Sequence, residues 1–166
     1  MQIVAHQLEC WANENDEEIE KDLFGRSAFN RYYYASFLIT REMLGAFRTT
    51  WKRTAHAGIP ELLEAGLKKT VVNQIKRNCA KNIMTAREGS VLRDKLRVAS
   101  AELANLLRIA YDARKIADYE PEIKIITANK VIKLDTHKLS SAAGWPNRAS
   151  SNCKTIRSVW RDAGLG

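Results

Sequence analysis

Residues 25–47 read GRSAFNRYYYASFLITREMLGAF, and this stretch decides the fold of the chain. The helix that it predicts carries apolar side chains on more than one side, and Phe29, Tyr33 and Phe37 mark one of those sides at fourfold spacing. A helix that is apolar nearly all round, but too short and too charged to cross a bilayer, is stable only when other helices pack on several sides of it. The stretch therefore predicts the central helix of an all-α core.

A few polar side chains interrupt this apolar helix. Asn30, Arg31 and Tyr34 form one polar group, and Arg114, Asp118 and Tyr119 form a second group near the end of a later helix. A buried guanidinium is costly unless it is paired with a carboxylate. We therefore expect Arg31 and Arg114 to be buried and to meet carboxylates within the helical core, such as Asp118 or Asp112.

Helical spacing continues on both sides of the central helix. Upstream, a loosely bounded first helix begins near Ile3, and Ile3, Leu8 and Trp11 are its candidates for burial. Downstream, Pro60 suits the first turn of a third helix, because the N–H that proline lacks is not needed there. The apolar spacing of this third helix runs to about Lys81.

A fourth helix is predicted after a break at Glu88 and Gly89, with Ser90 as its N-cap. Its apolar stripe alternates steps of four and three residues, which is typical of a helix packed lengthwise along another. The members of this stripe are Leu92, Leu96, Ala99, Leu103, Leu106, Ala110, Ala113 and Ala117. Pro121 ends the helix, so four helices form the core.

The remaining residues have a different pattern. Residues 122–134, EIKIITANKVIKL, place β-branched side chains on either side of an Ala-Asn-Lys turn, which predicts a β-hairpin. A last helix is predicted from Pro146 to Gly164. The sequence thus predicts a helical core in residues 1–121 and a C-terminal appendage, the hairpin and an extra helix, in residues 122–166.

Composition restricts the classes of function. The chain has 166 residues, of which 45% are hydrophobic and 28% charged, and this fits a globular core that folds unaided. It has no long apolar run and no signal-peptide pattern, so we expect a cytoplasmic protein without a membrane span. Its three cysteines form no CxxC pair, and none of its three histidines is spaced as a ligand pair, so we expect neither a metal site nor a cofactor.

Charge points to an anionic partner. The net charge is +8 and the pI is near 9.5, and nucleic acid is the commonest partner of such a chain. The start of the chain is acidic, whereas residues 68–97 are strongly basic. Basic side chains on solvated helices also serve solubility, so charge alone leaves the partner open.

The polar groups allow two interpretations. In the structural one, Arg31 and Arg114 are neutralised by carboxylates of the core. In the functional one, Arg31, Arg114 and His56 line a concave anion site, where the arginines hold phosphate and the histidine moves protons near neutral pH. His56 lies just before a predicted helix start, where backbone N–H groups also favour anions.

Three segments in order carry a family resemblance. The block GRSAFNRYYYASFLITREML resembles the RSAxxRxYYAxF helix of HEPN (higher eukaryotes and prokaryotes nucleotide-binding) domains, and AHAGIPELL resembles the histidine-containing entry to their third helix. LANLLRIAYDARKIADYEP is similar to their LxxLFxxRxxADYxP ending. The residues that match the family pattern are Arg31, Tyr33, Tyr34, His56, Arg114, Asp118 and Tyr119.

The resemblance implies a four-helix up-and-down bundle, a homodimer, and a role in RNA or nucleotide binding within prokaryotic defence or toxin–antitoxin systems. The metal-independent ribonucleases of the family carry an arginine, a spacer of four to six residues and then a histidine. This sequence departs from that pattern, because no arginine stands at that distance before any histidine. A ribonuclease of this kind would therefore need a non-standard site.

Three hypotheses follow. The first is a HEPN-like protein that binds RNA or a nucleotide through Asn30, Arg31, Tyr33, Tyr34, Asp118 and Tyr119. The second is a metal-independent endoribonuclease, a toxin, in which His56 and Arg114 act together and the 2′-hydroxyl of the RNA attacks. The third is a non-catalytic subunit whose tail docks a protein partner encoded nearby. Fold alone does not decide among them.

Overall fold

A computed structural model describes residues 1–128 and 131–166, and the chain in it is mostly helical with a small three-stranded antiparallel sheet. The predicted predominance of helix is confirmed. The α-helices are α1 Gln2–Glu14, α2 Glu18–Phe47, α3 Ile59–Glu61, α4 Lys68–Ala80, α5 Ala86–Tyr119, α6 Leu139–Ala143 and α7 Trp145–Asp162. Short 3₁₀ turns span Thr49–Arg53 and His56–Gly58, and a π-helical turn, Leu62–Leu67, joins α3 to α4.

The chain forms two compact units. The first unit comprises Met1–Leu38 and Leu107–Arg148, and the second comprises Ile39–Leu106 and Ala149–Gly166. Residues 122–148 therefore belong to the first unit and residues 149–166 to the second. The division predicted after residue 121 stays a prediction.

The central helix forms as its apolar pattern predicts. Phe29, Tyr33 and Phe37 are all buried. The helix begins earlier than expected, at Glu18, so α2 includes part of the acidic segment that precedes Gly25. Acidic side chains in a first turn interact favourably with the positive end of the helix dipole, and Glu18 and Glu20 occupy that turn.

The outer face of α1 is not buried as predicted. Ile3 is 86% exposed and Trp11 45% exposed, whereas Ala5 and Ala12 are fully buried. The small side chains face the core because they permit a close approach, and the larger ones lie outside. The predicted burial of Ile3 and Trp11 is therefore wrong.

The start of α5 also differs from the prediction. Thr85 and Glu88 form a capping box: the Thr85 Oγ1 accepts the Glu88 N–H at 3.2 Å, and the Glu88 carboxylate accepts the Thr85 N–H at 2.8 Å. Ser90 therefore lies inside the helix and is not its cap. Gly89 lies inside α5 and therefore does not mark a break. A Cβ there would lie 2.8 Å from Cγ2 of Ile75 on α4. The two helices pack closely where Gly89 has no side chain.

Strands β1 Ile125–Ala128, β2 Val131–Leu134 and β3 His137–Lys138 pair in the order of the chain, and each neighbouring pair is antiparallel. The two predicted strands are confirmed, and β3 was not predicted. The Ala-Asn-Lys turn extends over residues 129–130, which lie outside the described residues. Gly25 of α2 lets β1 approach, since a Cβ there would lie 3.0 Å from Cδ1 of Ile125.

The last helix begins and ends close to the predicted residues. Trp145 and Pro146 open α7, and the positive φ of Gly164, 73°, follows its last turn. The Leu165 N–H then donates to the Trp160 carbonyl at 3.1 Å, which satisfies a carbonyl at the helix end. Among the helices of the described ranges, none has the length and apolar character that a bilayer span requires.

Candidate functional site

Four of the predicted site residues meet in the first unit, between α2 and the end of α5. The Asn30 Nδ2 donates to the Asp118 Oδ1 at 2.6 Å, and the Arg114 Nε lies 2.8 Å from the Asp118 Oδ2. The Arg114 guanidinium also lies over the Tyr119 ring, 5.0 Å from its centroid. We call Asn30, Arg114, Asp118 and Tyr119 the polar cluster.

The charges of the polar cluster neutralise each other. The Arg114 and Asp118 side chains are only 16% and 24% exposed. Burial alone would lower the pKa of Arg114, but a hydrogen bond with Tyr119 and the Asp118 charge raise it overall. The Arg114 guanidinium is therefore held charged by groups of its own helix, which leaves less of its field for a ligand.

Two polar atoms of this cluster remain open. Within the described part of the chain, the Asn30 Oδ1 and the Arg114 Nε have no hydrogen-bond partner, although both are buried. The Nε lies within ion-pair distance of Asp118, but its N–H is not aligned with the carboxylate oxygen. Polar atoms of this kind usually have partners in folded proteins. They are the one feature of the cluster that favours a bound ligand.

The neighbouring tyrosines form part of the core. Tyr33 is buried, and its ring centroid lies 5.3 Å from that of Tyr34 and 5.8 Å from that of Tyr111. Burial, with a smaller effect from Tyr111, raises the pKa of Tyr33 above its ordinary range, so its hydroxyl stays protonated. Tyr33 thus acts as an aromatic packing residue, and Tyr34 lies half-buried beside it.

Arg31 does not occupy the predicted position. Its side chain is exposed, while Asn30 before it faces Asp118. The arginine that links α2 to the end of α5 is Arg26, which lies more than one turn earlier. The expectation that Arg31 is buried against Asp118 or Asp112 is wrong, because the helix turns that position towards solvent.

Arg26 binds the end of α5 and the loop that follows it. Its Nη1 donates to two carbonyls of the last turn of α5, at 3.1 and 3.0 Å, and its Nη2 donates to two carbonyls beyond the helix. The four acceptors are the carbonyl oxygens of Ile116, Ala117, Glu120 and Ile123. Because the last carbonyls of a helix have no partner within it, one guanidinium satisfies groups that otherwise need water.

Asp22 completes this arrangement. Its carboxylate lies 3.0 Å from the Arg26 Nε and accepts the Ile125 N–H at 2.8 Å, so it joins α2 to β1. Burial works against the charge, but these hydrogen bonds together with the charges of Arg26 and Lys124 lower the pKa of Asp22. The Asp22–Arg26 spacing of four residues is a helical ion-pair signal that the sequence contained.

The histidines lie in separate settings. His56 is half-buried at the start of the 3₁₀ turn His56–Gly58 in the second unit, whereas Arg114 belongs to the first unit. The predicted catalytic pairing of His56 with Arg114 stays a prediction. His137 on β3 lies 3.2 Å from the Asp112 carboxylate. Among the described residues no group of three His, Cys, Asp or Glu side chains could hold a metal ion.

The second unit contains a basic groove of about 600 Å³ that was not predicted from the sequence. Lys154, Arg157 and Arg161 of α7 line one wall at steps of three and four residues, which places them on one face of the helix. None of the described residues that line the groove has an acidic side chain. In the described part of the chain, none of the three cations forms an ion pair.

Aromatic rings form the other wall. Phe47 and Trp160 also line the groove, and their rings stack with centroids 4.2 Å apart and planes 8° from parallel. Trp51 meets the Trp160 ring edge-on at 6.0 Å, and the Arg48 guanidinium lies 4.9 Å from the Trp51 ring centroid. The groove therefore combines free positive charge with aromatic surface.

The sequence held a signal for this groove. A K-x-x-R-x-x-W-R pattern spans Lys154 to Arg161, and its period places the cations together. The partner ring of Phe47 lies more than a hundred residues away, so only the fold brings the two together. Comparisons with protein-family models, with characterised proteins and with solved structures give no match for this chain.

Proposed function

We propose that this is an RNA- or nucleotide-binding protein whose ligand lies in the basic groove of the second unit. One observation carries the proposal: Lys154, Arg157 and Arg161 line one groove with no acidic side chain among its described lining residues. Cations without carboxylate partners attract phosphates and release the counterions of a nucleic acid. The aromatic wall adds a surface on which bases stack.

The polar cluster supports this proposal less directly. Its arginine already pairs with Asp118 and lies over Tyr119. An anion that approached it would compete with a carboxylate held 2.8 Å away. We assign the cluster a structural role, and the Asn30 Oδ1 and the Arg114 Nε are its polar atoms without a hydrogen-bond partner among the described residues.

The wider proposal follows the family resemblance. We propose a HEPN-like, cytoplasmic protein of a prokaryotic defence or toxin–antitoxin system, with its long helices arranged as a four-helix up-and-down bundle and with a homodimer as its assembly. The meeting of Asn30 with Asp118, which lie in two of the three resembling segments, supports this arrangement. So does the presence of four helices of at least 13 residues, α1, α2, α4 and α5, before the sheet.

Fluorescence anisotropy with a labelled single-stranded RNA of about twelve nucleotides tests the binding. Three phosphate contacts give a slope of roughly −2 in log affinity against log salt. We expect the triple variant Lys154→Gln, Arg157→Gln, Arg161→Gln to bind about tenfold more weakly at low salt and to have a slope nearer zero. A matched control, Lys68→Gln, Lys69→Gln, Lys76→Gln, removes three exposed charges from α4 of the same unit.

The control separates the groove from general charge. If both triple variants lose the same affinity, the binding is non-specific and the groove is not the site. If the wild-type protein does not bind RNA even at low salt, the proposal fails. Circular dichroism of each variant shows whether the helices are retained.

The endoribonuclease alternative rests on the sequence. Its test is incubation of RNA with the protein in EDTA, followed by electrophoresis. Cleavage that His56→Ala abolishes would establish the enzyme and the role of His56. If the RNA stays intact while binding is measurable, the protein binds RNA without cleaving it, and the first proposal stands.

The interaction-subunit alternative is favoured by one observation. The first unit exposes two large apolar side chains one helical turn apart on α2, with Ile19 83% and Leu23 59% exposed. Exposed apolar side chains that lie together mark interaction surfaces. If a co-expressed partner encoded nearby no longer binds the double variant Ile19→Ser, Leu23→Ser, while RNA binding is retained, this role is supported.

A further inference from the structure

The basic groove has more aromatic surface than phosphate binding alone requires. We infer that it takes an unpaired nucleic-acid strand, with a base against Trp51 and the backbone along α7, and that it discriminates against a duplex. This inference rests on the proposed function and names the form of nucleic acid that the site accepts.

A second tryptophan, Trp51, lies next to the residues that line the groove. Trp160 lines the groove but is buried and stacks on Phe47, so it acts as the support. Trp51 is half-buried, stands edge-on to Trp160 and carries the Arg48 guanidinium over its ring. Guanidinium groups stack on bases as aromatic rings do, so a base can lie against either group. Arg48 and Trp51 together form a stacking platform beside Trp160.

The cations lie within the reach of a short strand. Lys154 and Arg161 are seven residues apart on α7, so they are separated by roughly 10 Å along the helix axis. Arg157 lies between them on the same face. A row of cations of this length can contact successive phosphates of one flexible strand, while the bases of that strand face the aromatic wall.

A duplex cannot use the aromatic wall. Its bases are already paired and stacked, and the grooves of an A-form helix present backbone and base edges only. Such a ligand would contact the three cations and leave the Arg48–Trp51 platform unused. An unpaired strand contacts both, as proteins that bind single strands combine a charged groove with aromatic platforms.

The test compares three labelled probes on the full chain: a single-stranded RNA of about twelve nucleotides, a DNA strand of the same sequence, and the RNA duplex of that length. We expect the single strands to bind about tenfold more tightly than the duplex at the same salt, because a stacked base contributes this much. The RNA and DNA strands separately show whether the 2′-hydroxyl matters.

A pair of tryptophan variants tests the platform. Trp51→Leu should weaken single-strand binding by about tenfold and leave duplex binding unchanged. Trp11→Leu is the control, since Trp11 is also accessible but lies in the first unit beside Glu14 and Glu20. Arg48→Gln, at an exposed position, serves as the second platform variant should Trp51→Leu fail to fold.

The outcomes are distinct. Equal affinity for duplex and single strand, or single-strand binding that neither Trp51→Leu nor Arg48→Gln weakens, overturns the inference and leaves the proposed function intact. Absence of binding to all three probes at low salt overturns the proposed function itself.

Discussion

Each unit of this chain contains a pair of arginines, and the two pairs are used in opposite ways. In the first unit, Arg26 and Arg114 are enclosed, and each lies within 3.0 Å of an aspartate oxygen. In the second unit, Arg157 and Arg161 are exposed and line a groove without an acidic side chain among its described lining residues. A charge that the fold has already neutralised stabilises structure, while an unpaired charge remains available to a ligand. The presence or absence of a carboxylate partner therefore distinguishes arginines that stabilise the fold from arginines that are available to a ligand.

The largest expected effect comes from Arg26. Arg26→Met leaves Asp22 without its arginine partner and removes the donor to four carbonyls. We expect the free energy of unfolding to fall by about 3–5 kcal/mol, measured by urea denaturation. Arg31→Met, at an exposed position of the same helix, should change it by less than about 0.5 kcal/mol. Equal losses of stability in Arg26→Met and Arg31→Met would contradict the structural role assigned to Arg26.

Arg114 should have an intermediate effect. Arg114→Met leaves the Asp118 carboxylate with the Asn30 amide as its contact across the helices, and we expect a loss of about 1–3 kcal/mol in the free energy of unfolding. RNA affinity should remain at the wild-type value. If Arg114→Met folds but loses RNA binding, and Lys115→Met retains RNA binding, the binding site lies in the first unit.

Asp22 should give part of the acid dependence of stability. Because its pKa is lowered by folding from an ordinary value of 3.8, its stabilising contribution is complete above that value and is lost as the pH falls through the lower folded value. We expect Asp22→Asn to be less stable at neutral pH and to lose less stability between about pH 5 and pH 2. Urea denaturation across this range checks it. If the free energy of unfolding of Asp22→Asn falls as steeply with decreasing pH as that of the wild type, the role assigned to Asp22 is contradicted.

The smallest change in stability is expected in the groove. The variant Lys154→Gln, Arg157→Gln, Arg161→Gln removes charges that have no carboxylate partner in the described part of the chain. Its free energy of unfolding should stay within about 0.5 kcal/mol of wild type per site, although its RNA affinity falls. A marked destabilisation would show that these cations are structural, and the contrast between the units would be lost.

Local patterns were enough to predict much of the helical content. The spacing of Phe29, Tyr33 and Phe37 predicted a buried central helix. The stripe from Leu92 to Ala117 predicted the buried face of α5, and all its members except Ala117 are buried. Gly89 was misread, because a glycine that permits close packing and one that breaks a helix look alike in sequence. The neighbour that decides, Ile75, is known only from the fold.

The site was likewise predictable only where local spacing in the sequence brings its residues together. The Arg114–Asp118 pair lies one helical turn apart and was found by its spacing. Which arginine of α2 turns inwards depended on the rotation of the helix, and Arg26 rather than Arg31 proved to be that residue. The groove required Phe47 to meet Trp160 across a long stretch of sequence, which no local period encodes.

The Arg26 contacts also bear on how the protein is made. Arg26 and its acceptor Ile123 are separated by 97 residues. At a synthesis rate of about 5–20 residues per second, the ribosome needs roughly 5–20 s to deliver the second partner after the first. The apolar side chains of α2 therefore leave the ribosome well before the end of α5 is available to cover them.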